Sequence, residues 1–138
     1  MRIHPITIGL LAASLVGCGR GGPRTYPVKG VVQLTSGDVK LLAGSHVEVA
    51  LIDDPTVRAS GEIREDGSFK LQTRHNGDTI SGVRPGTYQA RIILADDDQA
   101  NLRRAASALA LRFRDFKTSG LSLTVPATEA IVLTISDR

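Results

Sequence analysis

The chain has 138 residues, with 17 Lys and Arg against 14 Asp and Glu, and a single cysteine. This length is enough for one domain with one hydrophobic core. The charges are interspersed, which argues against a nucleic-acid-binding protein, since such proteins carry a clustered basic excess. With one cysteine, no disulfide or thiolate metal site can form within the chain, and the core must provide the stability.

Residues 1–17 have the pattern of an export signal. A short positive segment, Met1–His4, is followed by Ile6–Val16, which is apolar or small and carries no charge. This run is too short to cross a bilayer as a helix, which needs about 20 residues. The length and the flanks therefore indicate a secretory signal peptide rather than a membrane-spanning helix.

The signal ends at the cysteine. Leu15-Val16-Gly17-Cys18 resembles the lipobox of bacterial lipoproteins. The resemblance implies that Cys18 receives a diacylglycerol thioether and becomes the first residue of the mature protein. Two or three acyl chains, palmitate among them, would then anchor the chain durably. The alternative is a plain signal peptide that happens to contain a cysteine.

The residue after the cysteine bears on location. Gly19 stands where, in many lipoproteins of two-membrane bacteria, an Asp would signal retention at the inner membrane. The resemblance therefore implies attachment to an extracytoplasmic face of the cell envelope. It favours the outer membrane if the cell has one.

Residues 18–27 are expected to be the lipidated cysteine and a flexible tether, because the segment is rich in Gly and Pro. Nine residues after the cysteine reach at most about 30 Å, so the domain, residues 28–138, would lie close to the bilayer. Arg20 and Arg24 either contact anionic headgroups or belong to a merely soluble linker.

The domain consists largely of short runs in which apolar and polar residues alternate, the pattern of half-buried strands. Glu65-Asp66-Gly67-Ser68 is the clearest turn, because Asp-Gly supplies the positive φ angles of a tight hairpin. We therefore predict a hairpin over 58–73, followed by a polar loop at Arg74–Asp78. In all, seven strands are predicted, at Tyr26–Leu34, Val47–Leu51, Ala59–Ile63, Phe69–Thr73, Tyr88–Leu94, Leu121–Val125 and Ile131–Ile135.

One interval has a helical spacing instead. Between Asp98 and Phe113, apolar residues recur every three or four positions, at Leu102, Ala105 or Ala106, and Leu109. The stripe begins behind Asp96-Asp97-Asp98, and Asp favours a helix N-terminus. We predict a short helix at about 98–113, inserted between two strands, that covers one opening or face of the sheets.

Seven short strands with regular turns indicate a mainly β fold, a seven-stranded antiparallel β-sandwich. The pattern is similar to carboxypeptidase-regulatory-like domains, which have a prealbumin-like (transthyretin-like) sandwich. The resemblance covers residues 28–94, and 116–121 resembles the closing segment of small lipoproteins with this domain. It is carried by Gly30-Val31-Val32, Gly44–Val49, Asp66-Gly67-Ser68-Phe69 and Pro85–Ala90.

Few residues are candidates for metal binding. Asp96, Asp97 and Asp98 are conceivable calcium ligands, but no EF-hand pattern follows, and a helix N-cap with a solvated loop is favoured. Asp53-Asp54 before Pro55 is a second candidate pair and fits an ordinary turn. His46 and His75 lack the spacing of a zinc site. No metal or cofactor is therefore expected.

No catalytic motif stands out. A nucleophile elbow is missing, and so is the C-terminal Tyr-Arg-Gly-Ser segment of the urate-pathway hydrolases that share the transthyretin-like fold. Tyr26, Phe69 and Tyr88 are predicted to face inward and Phe113 and Phe116 to lie in the core under the helix, which leaves no ring to stack on a sugar.

We therefore expect a lipid-anchored, non-enzymatic interaction or structural accessory module. Its partners would be the membrane, through the lipid anchor, and a protein or other envelope component, but not nucleic acid. The alternative is a surface lipoprotein that binds carbohydrate or calcium through its polar loops.

Overall fold

The computed structural model describes residues 24–138, and over this range the protein is mainly β. The predicted signal peptide and Cys18 lie outside the described residues. One α-helix, α1, spans Gln99–Ala108, and two short 3-10 helices span Val39–Leu42 and Leu111–Arg114. The strands are β1 Lys29–Leu34, β2 His46–Leu51, β3 Arg58–Glu62, β4 Ser68–Lys70, β5 Gln72–His75, β6 Asp78–Ser81, β7 Gly86–Ile93, β8 Leu121–Val125 and β9 Ile131–Ile135.

The strands form two sheets. The small sheet has the order β4-β1-β9, and the large sheet has the order β6-β5-β3-β2-β7-β8. Among the named strands all pairs are antiparallel except β1 and β9, which run parallel from Gly30 opposite Ile131 to Leu34 opposite Ile135. The prediction of a wholly antiparallel arrangement is therefore wrong. A parallel pair needs a long connection. Here the connection is the whole segment from the end of β1 at Leu34 to the start of β9 at Ile131.

The predicted strand Phe69–Thr73 is divided between the two sheets. Its first part, β4, pairs with β1, and its second part, β5, pairs with β3. Leu71 lies at the division, where its N–H donates to the Val28 carbonyl at 3.0 Å and its carbonyl accepts from Gly82 N at 3.3 Å. One alternating run thus contributes a strand to each sheet. The chain passes from β1 to β3 as its pairing strand, while Phe69, Leu71 and Thr73 all remain buried.

The predicted turn of the 58–73 hairpin is confirmed. Gly67 has a φ of 84°, and Arg64 and Ser68 are joined by a backbone hydrogen bond of 2.9 Å across the turn. Only the second half of the returning segment pairs with β3, with Ala59 opposite Thr73.

A further strand, β6, begins at Asp78, the last residue of the segment predicted to be a polar loop. Asn76 and Gly77 both have positive φ, 50° and 86°, and join β5 to β6 in a tight hairpin. Asn-Gly is a strong hairpin signal, so a hairpin and not a loop is the structure that these two residues favour. This strand and the division at Leu71 account for nine strands over residues 24–138 where seven are predicted.

The inner faces of both sheets and the helical segments share one hydrophobic core. Tyr88 is fully buried, and its hydroxyl donates to the Arg84 carbonyl at 2.9 Å. Burial raises the pKa of Tyr88. The buried residues of the small sheet include Val32, Leu133 and Ile135, those of the large sheet Val47, Val49, Ala90, Ile92 and Leu123, and those of the helical segments Ala105, Leu109 and Phe113.

The predicted helix is present in two pieces. α1 ends where Leu109 becomes extended, and the 3-10 turn Leu111–Arg114 follows. Leu109 and Phe113 are nevertheless buried, so the apolar stripe faces the core as predicted. α1 contacts the 3-10 helix Val39–Leu42, and Ala110 N donates to the Ser136 carbonyl just beyond β9 at 2.9 Å. The two pieces therefore cover one end of the sheets.

Candidate functional site

The outer face of the small sheet carries an open groove of about 490 Å³. Because side chains alternate along a strand, the inward burial of Val32 and Phe69 turns their neighbours outward. We call this surface the basic groove and define it by six residues: Lys29, Val31, Arg64, Ser68, Lys70 and Val132.

The floor of the basic groove depends on Gly30. A Cβ at this position would lie 2.5 Å from Phe69 Cζ and 2.9 Å from the Ile131 carbonyl oxygen. The missing side chain lets the buried Phe69 ring lie against β1, between β4 and β9. A close-packed core below gives the groove a firm base.

The charge of the basic groove is concentrated where β1 begins. Lys29 and Lys70, both exposed, lie directly opposite each other across the antiparallel β1–β4 pair. Like charges placed directly opposite destabilise a sheet. The lining contains no carboxylate, and the ion pairs found over residues 24–138 do not involve Lys29, Arg64 or Lys70. An anion bound between the two lysines would relieve their repulsion.

The other end of the groove is less positive, because the turn carries Asp66. Hydrogen bonds from the side chain and the backbone of Ser68 lower the pKa of Asp66, with the charge of Arg64 adding to them. The Ser68 N–H lies 2.9 Å from Asp66 Oδ1. Ser68 is therefore engaged with this carboxylate, and the Lys29–Lys70 end is the part best suited to hold an anion.

Two exposed valines run beside the cations. Val31 is 37% exposed and Val132 is 49% exposed, which makes them two of the five exposed large apolar side chains in the described residues. They are adjacent across the parallel β1–β9 pair. The groove therefore joins positive charge to a small apolar strip, a combination suited to binding an anionic group attached to apolar matter.

A second polar cluster lies on the outer face of the large sheet. Glu48 Oε2 lies 2.6 Å from Arg91 Nη2, and Glu48 Oε1 lies 3.4 Å from Arg58 Nη1. The Arg91 and Arg58 guanidinium carbons lie 4.7 Å and 5.4 Å from the centre of the Phe116 ring. Each group already has a partner within the cluster. We call the cluster of Glu48, Arg58, Arg91 and Phe116 the clamp, because it attaches the loop after Arg114 to the large sheet.

This cluster also corrects the prediction for Phe116. The ring is half-buried and lies over two guanidinium groups instead of in the core. The cation–π contacts explain why an aromatic residue occupies an outer face. Phe113 takes the core position expected of it.

The predicted metal candidates do not converge. Asp98 caps α1, with its Oδ1 accepting from Ala100 N at 2.9 Å and from Asn101 N at 3.4 Å. Asp96 and Asp97 are exposed. Between residues 24 and 138, no group of three or more His, Cys, Asp or Glu side chains is arranged to hold a metal ion.

Asp54 and the two histidines have local roles. Asp54 accepts hydrogen bonds from the Thr56 hydroxyl at 2.6 Å and from Thr56 N at 3.1 Å, and these lower the pKa of Asp54. His46 is exposed on β2 opposite Glu62, and His75 is exposed in the β5–β6 hairpin opposite Asp78. The strand β3 lies between these two positions, so the structure does not bring the histidines together.

Sequence reasoning did not single out the basic groove. Lys29 and Lys70 can be recognised as outward-facing residues of separate runs, but nothing local pairs β1 with β4. Comparison with known protein families, curated proteins and solved structures finds no match to this chain. Within the part of the chain that the structure describes, no helix is long and apolar enough to span a membrane.

Proposed function

We propose that this protein is a lipid-anchored β-sandwich on an extracytoplasmic face of the bacterial cell envelope, where it acts as a non-enzymatic interaction module. The resemblance of Leu15-Val16-Gly17-Cys18 to a lipobox supports the anchor. The resemblance of the segment after Cys18 favours the outer membrane where the cell has one. The basic groove would be the binding face.

We further propose that the domain is of the carboxypeptidase-regulatory-like, prealbumin-like type. Two sheets with a common core support a sandwich. The motifs of the resemblance lie at structurally important places: Asp66-Gly67 forms the turn before β4, and Pro85-Gly86 leads into β7, where Tyr88 is fully buried.

The juxtaposition of Lys29 and Lys70 is the observation that carries the interaction role. Two lysines held opposite each other weaken the domain when no anion is present. Beside the exposed Val31 and Val132, they form a surface that an anionic partner would stabilise. Binding to the folded state alone would raise the stability with the logarithm of the partner's concentration relative to its dissociation constant.

Mass spectrometry of the mature N-terminus tests the anchor. We expect acylated Cys18 as the first residue and the protein in the membrane fraction. The Cys18→Ser variant should move to the soluble fraction. An unmodified terminus at another position would contradict the anchor.

Photo-crosslinking in the native membrane tests the binding face. A photoreactive residue placed at Val132, in the basic groove, should give crosslinks that the double variant Lys29→Gln/Lys70→Gln loses. The matched control is the same residue at Thr124, an exposed outward position of β8. Equal crosslinking from both positions, or none from Val132, would contradict the groove as the binding face.

A further inference from the structure

The position of the basic groove, close in the chain to the proposed anchor, indicates what binds in it. We infer that the groove lies against an anionic lipid surface, with headgroup phosphates between Lys29 and Lys70 and with Val31 and Val132 at the headgroup boundary. The inference rests on the proposed function, because the lipid anchor would keep this face beside a bilayer.

The basic groove carries three positive charges. Lys29, Arg64 and Lys70 are exposed, and none of them has an ion-pair partner among residues 24–138. A lysine or arginine near an anionic membrane surface strengthens attachment by about fivefold. Together the three side chains would strengthen it by about a hundredfold, provided that they face the same surface.

An apolar strip lies beside these charges. Val31 and Val132 are neighbours on adjacent strands and are 37% and 49% exposed. Interfacial binding combines a basic rim with apolar side chains that reach the headgroup boundary. Two valines offer little apolar area, so the attachment should be shallow and should weaken as salt screens the charges.

The path of the chain distinguishes a bilayer from an acidic protein as the occupant. Tyr26 exchanges two backbone hydrogen bonds of 2.8 Å with Val83, and the Thr25 hydroxyl donates to the Ser81 carbonyl at 2.9 Å. The chain is thus attached to the domain from Thr25 onward, and β1 begins at Lys29. Between the proposed anchor and Thr25, six residues reach at most about 20 Å.

The short reach has a consequence for orientation. Lys29 and Lys70 lie at the end of the small sheet where the chain arrives from the anchor. Arg24, also exposed, stands in the last residues before the domain. An anchored domain would therefore hold the positive end of the groove near the headgroups, whereas an acidic protein would have to enter between the domain and the membrane.

Vesicle binding tests the inference without the anchor. The exported form, residues 18–138 with Cys18→Ser, is sedimented with vesicles of phosphatidylcholine containing phosphatidylglycerol at about one part in three, and with vesicles of pure phosphatidylcholine. We expect binding to the anionic vesicles that weakens as salt increases. The triple variant Lys29→Gln/Arg64→Gln/Lys70→Gln should lower the partition coefficient by about a hundredfold.

The matched control removes the same charge elsewhere. Arg74→Gln/Arg103→Gln/Lys117→Gln replaces three exposed cations of β5, α1 and the loop after Leu111–Arg114. Circular dichroism and melting temperatures verify that both triple variants fold. Equal losses in the two variants, or equal binding to both kinds of vesicle, would overturn the inference.

The outcome is separable from that of the proposed function. If Cys18 is acylated and the groove variants bind vesicles as well as the unsubstituted protein, only the lipid surface as occupant would be overturned. Crosslinks from Val132 to an envelope protein, with vesicle binding unaffected by the groove variants, would overturn it in favour of a protein. Vesicle binding that depends on the groove, together with an unmodified Cys18, would support the lipid surface as occupant and contradict the proposed anchor.

Discussion

Lys29 of β1 and Lys70 of β4 lie directly opposite each other on the exposed face of the small sheet. Their charges repel across the pair, and no carboxylate lines the groove in which they lie. The same two residues therefore link the stability of the domain to whatever binds there. This link can be measured even before a partner is identified.

Replacing one of the two lysines by an acid should stabilise the domain. Lys70→Glu converts the repulsion with Lys29 into an attraction, and we expect a gain of about 1 kcal/mol in the free energy of unfolding. Urea denaturation at low and high salt measures it, and the gain should shrink as salt increases. Lys117→Glu, an exposed loop position, is the control. A gain that salt leaves unchanged would contradict the electrostatic explanation.

Gly61 should tolerate no side chain. It is buried in β3, and a Cβ would lie 2.2 Å from the Lys70 carbonyl oxygen, next to the point where the chain passes from β4 to β5. Gly61→Ala should therefore lower the free energy of unfolding by about 3 kcal/mol. Ser60→Ala, on the outer face of the same strand, should change it by less than about 0.5 kcal/mol. Equal stabilities of the two variants would show that the close approach does not exist.

The clamp on the large sheet should depend on Glu48. Its side chain is 15% exposed and contacts both Arg58 and Arg91. Glu48→Gln leaves two guanidinium groups without their carboxylate, and we expect a loss of about 1.5 kcal/mol in the free energy of unfolding. Glu62→Gln is the control, because Glu62 is exposed. Chemical denaturation measures both variants. Similar small losses in the free energy of unfolding would show that the clamp contributes no more than an ordinary surface ion pair.

Of the three Asp residues before α1, only Asp98 should contribute to the stability of the domain. Asp98 accepts from two backbone N–H groups, so Asp98→Ala should lower the free energy of unfolding by about 1 kcal/mol. Asp97→Ala should have little effect, since Asp97 is exposed and outside the cap. Thermal unfolding with and without millimolar calcium completes the test. A rise in melting temperature with calcium would instead support the ligand-binding alternative.

Two turn carboxylates should affect the acid side of the stability curve. Hydrogen bonds to Thr56 and Ser68 lower the pKa values of Asp54 and Asp66 below the ordinary 3.8. Their contribution is therefore present above about pH 4 and is lost as the pH falls through the folded-state pKa. Asp54→Asn/Asp66→Asn should flatten the acid limb in urea denaturation between about pH 5 and pH 2. An unchanged slope relative to Asp97→Asn would contradict this.

Several local features follow from the sequence because they depend on neighbouring residues. Asp66-Gly67 makes a turn since Gly adopts the positive φ that the turn needs. The spacing of Leu109 and Phe113 places both in the core even though an extended residue interrupts the helix. Asn76-Gly77 carried an equally local signal, and the β5–β6 hairpin could have been predicted from it.

The position of Phe116 shows where such reasoning fails. Apolar spacing assigns an aromatic residue to the core by default, but a ring is also stable over guanidinium groups. Arg58 and Arg91 come from two strands that are far from Phe116 in sequence. Only the folded arrangement could show that both lie beneath it.

The sequence by itself determined the inward faces of most of the predicted strands, the place of the principal turn and the acidic run that precedes the helix, because each depends on backbone chemistry within a few residues. It also contains the only sign of the proposed anchor, at Cys18. The tertiary structure alone decided that β1 pairs with β9 in parallel, that Leu71 divides one run between two sheets, and that Lys29 faces Lys70. Alternation specifies the face of a strand but not its neighbour, and the basic groove exists only because distant strands became neighbours.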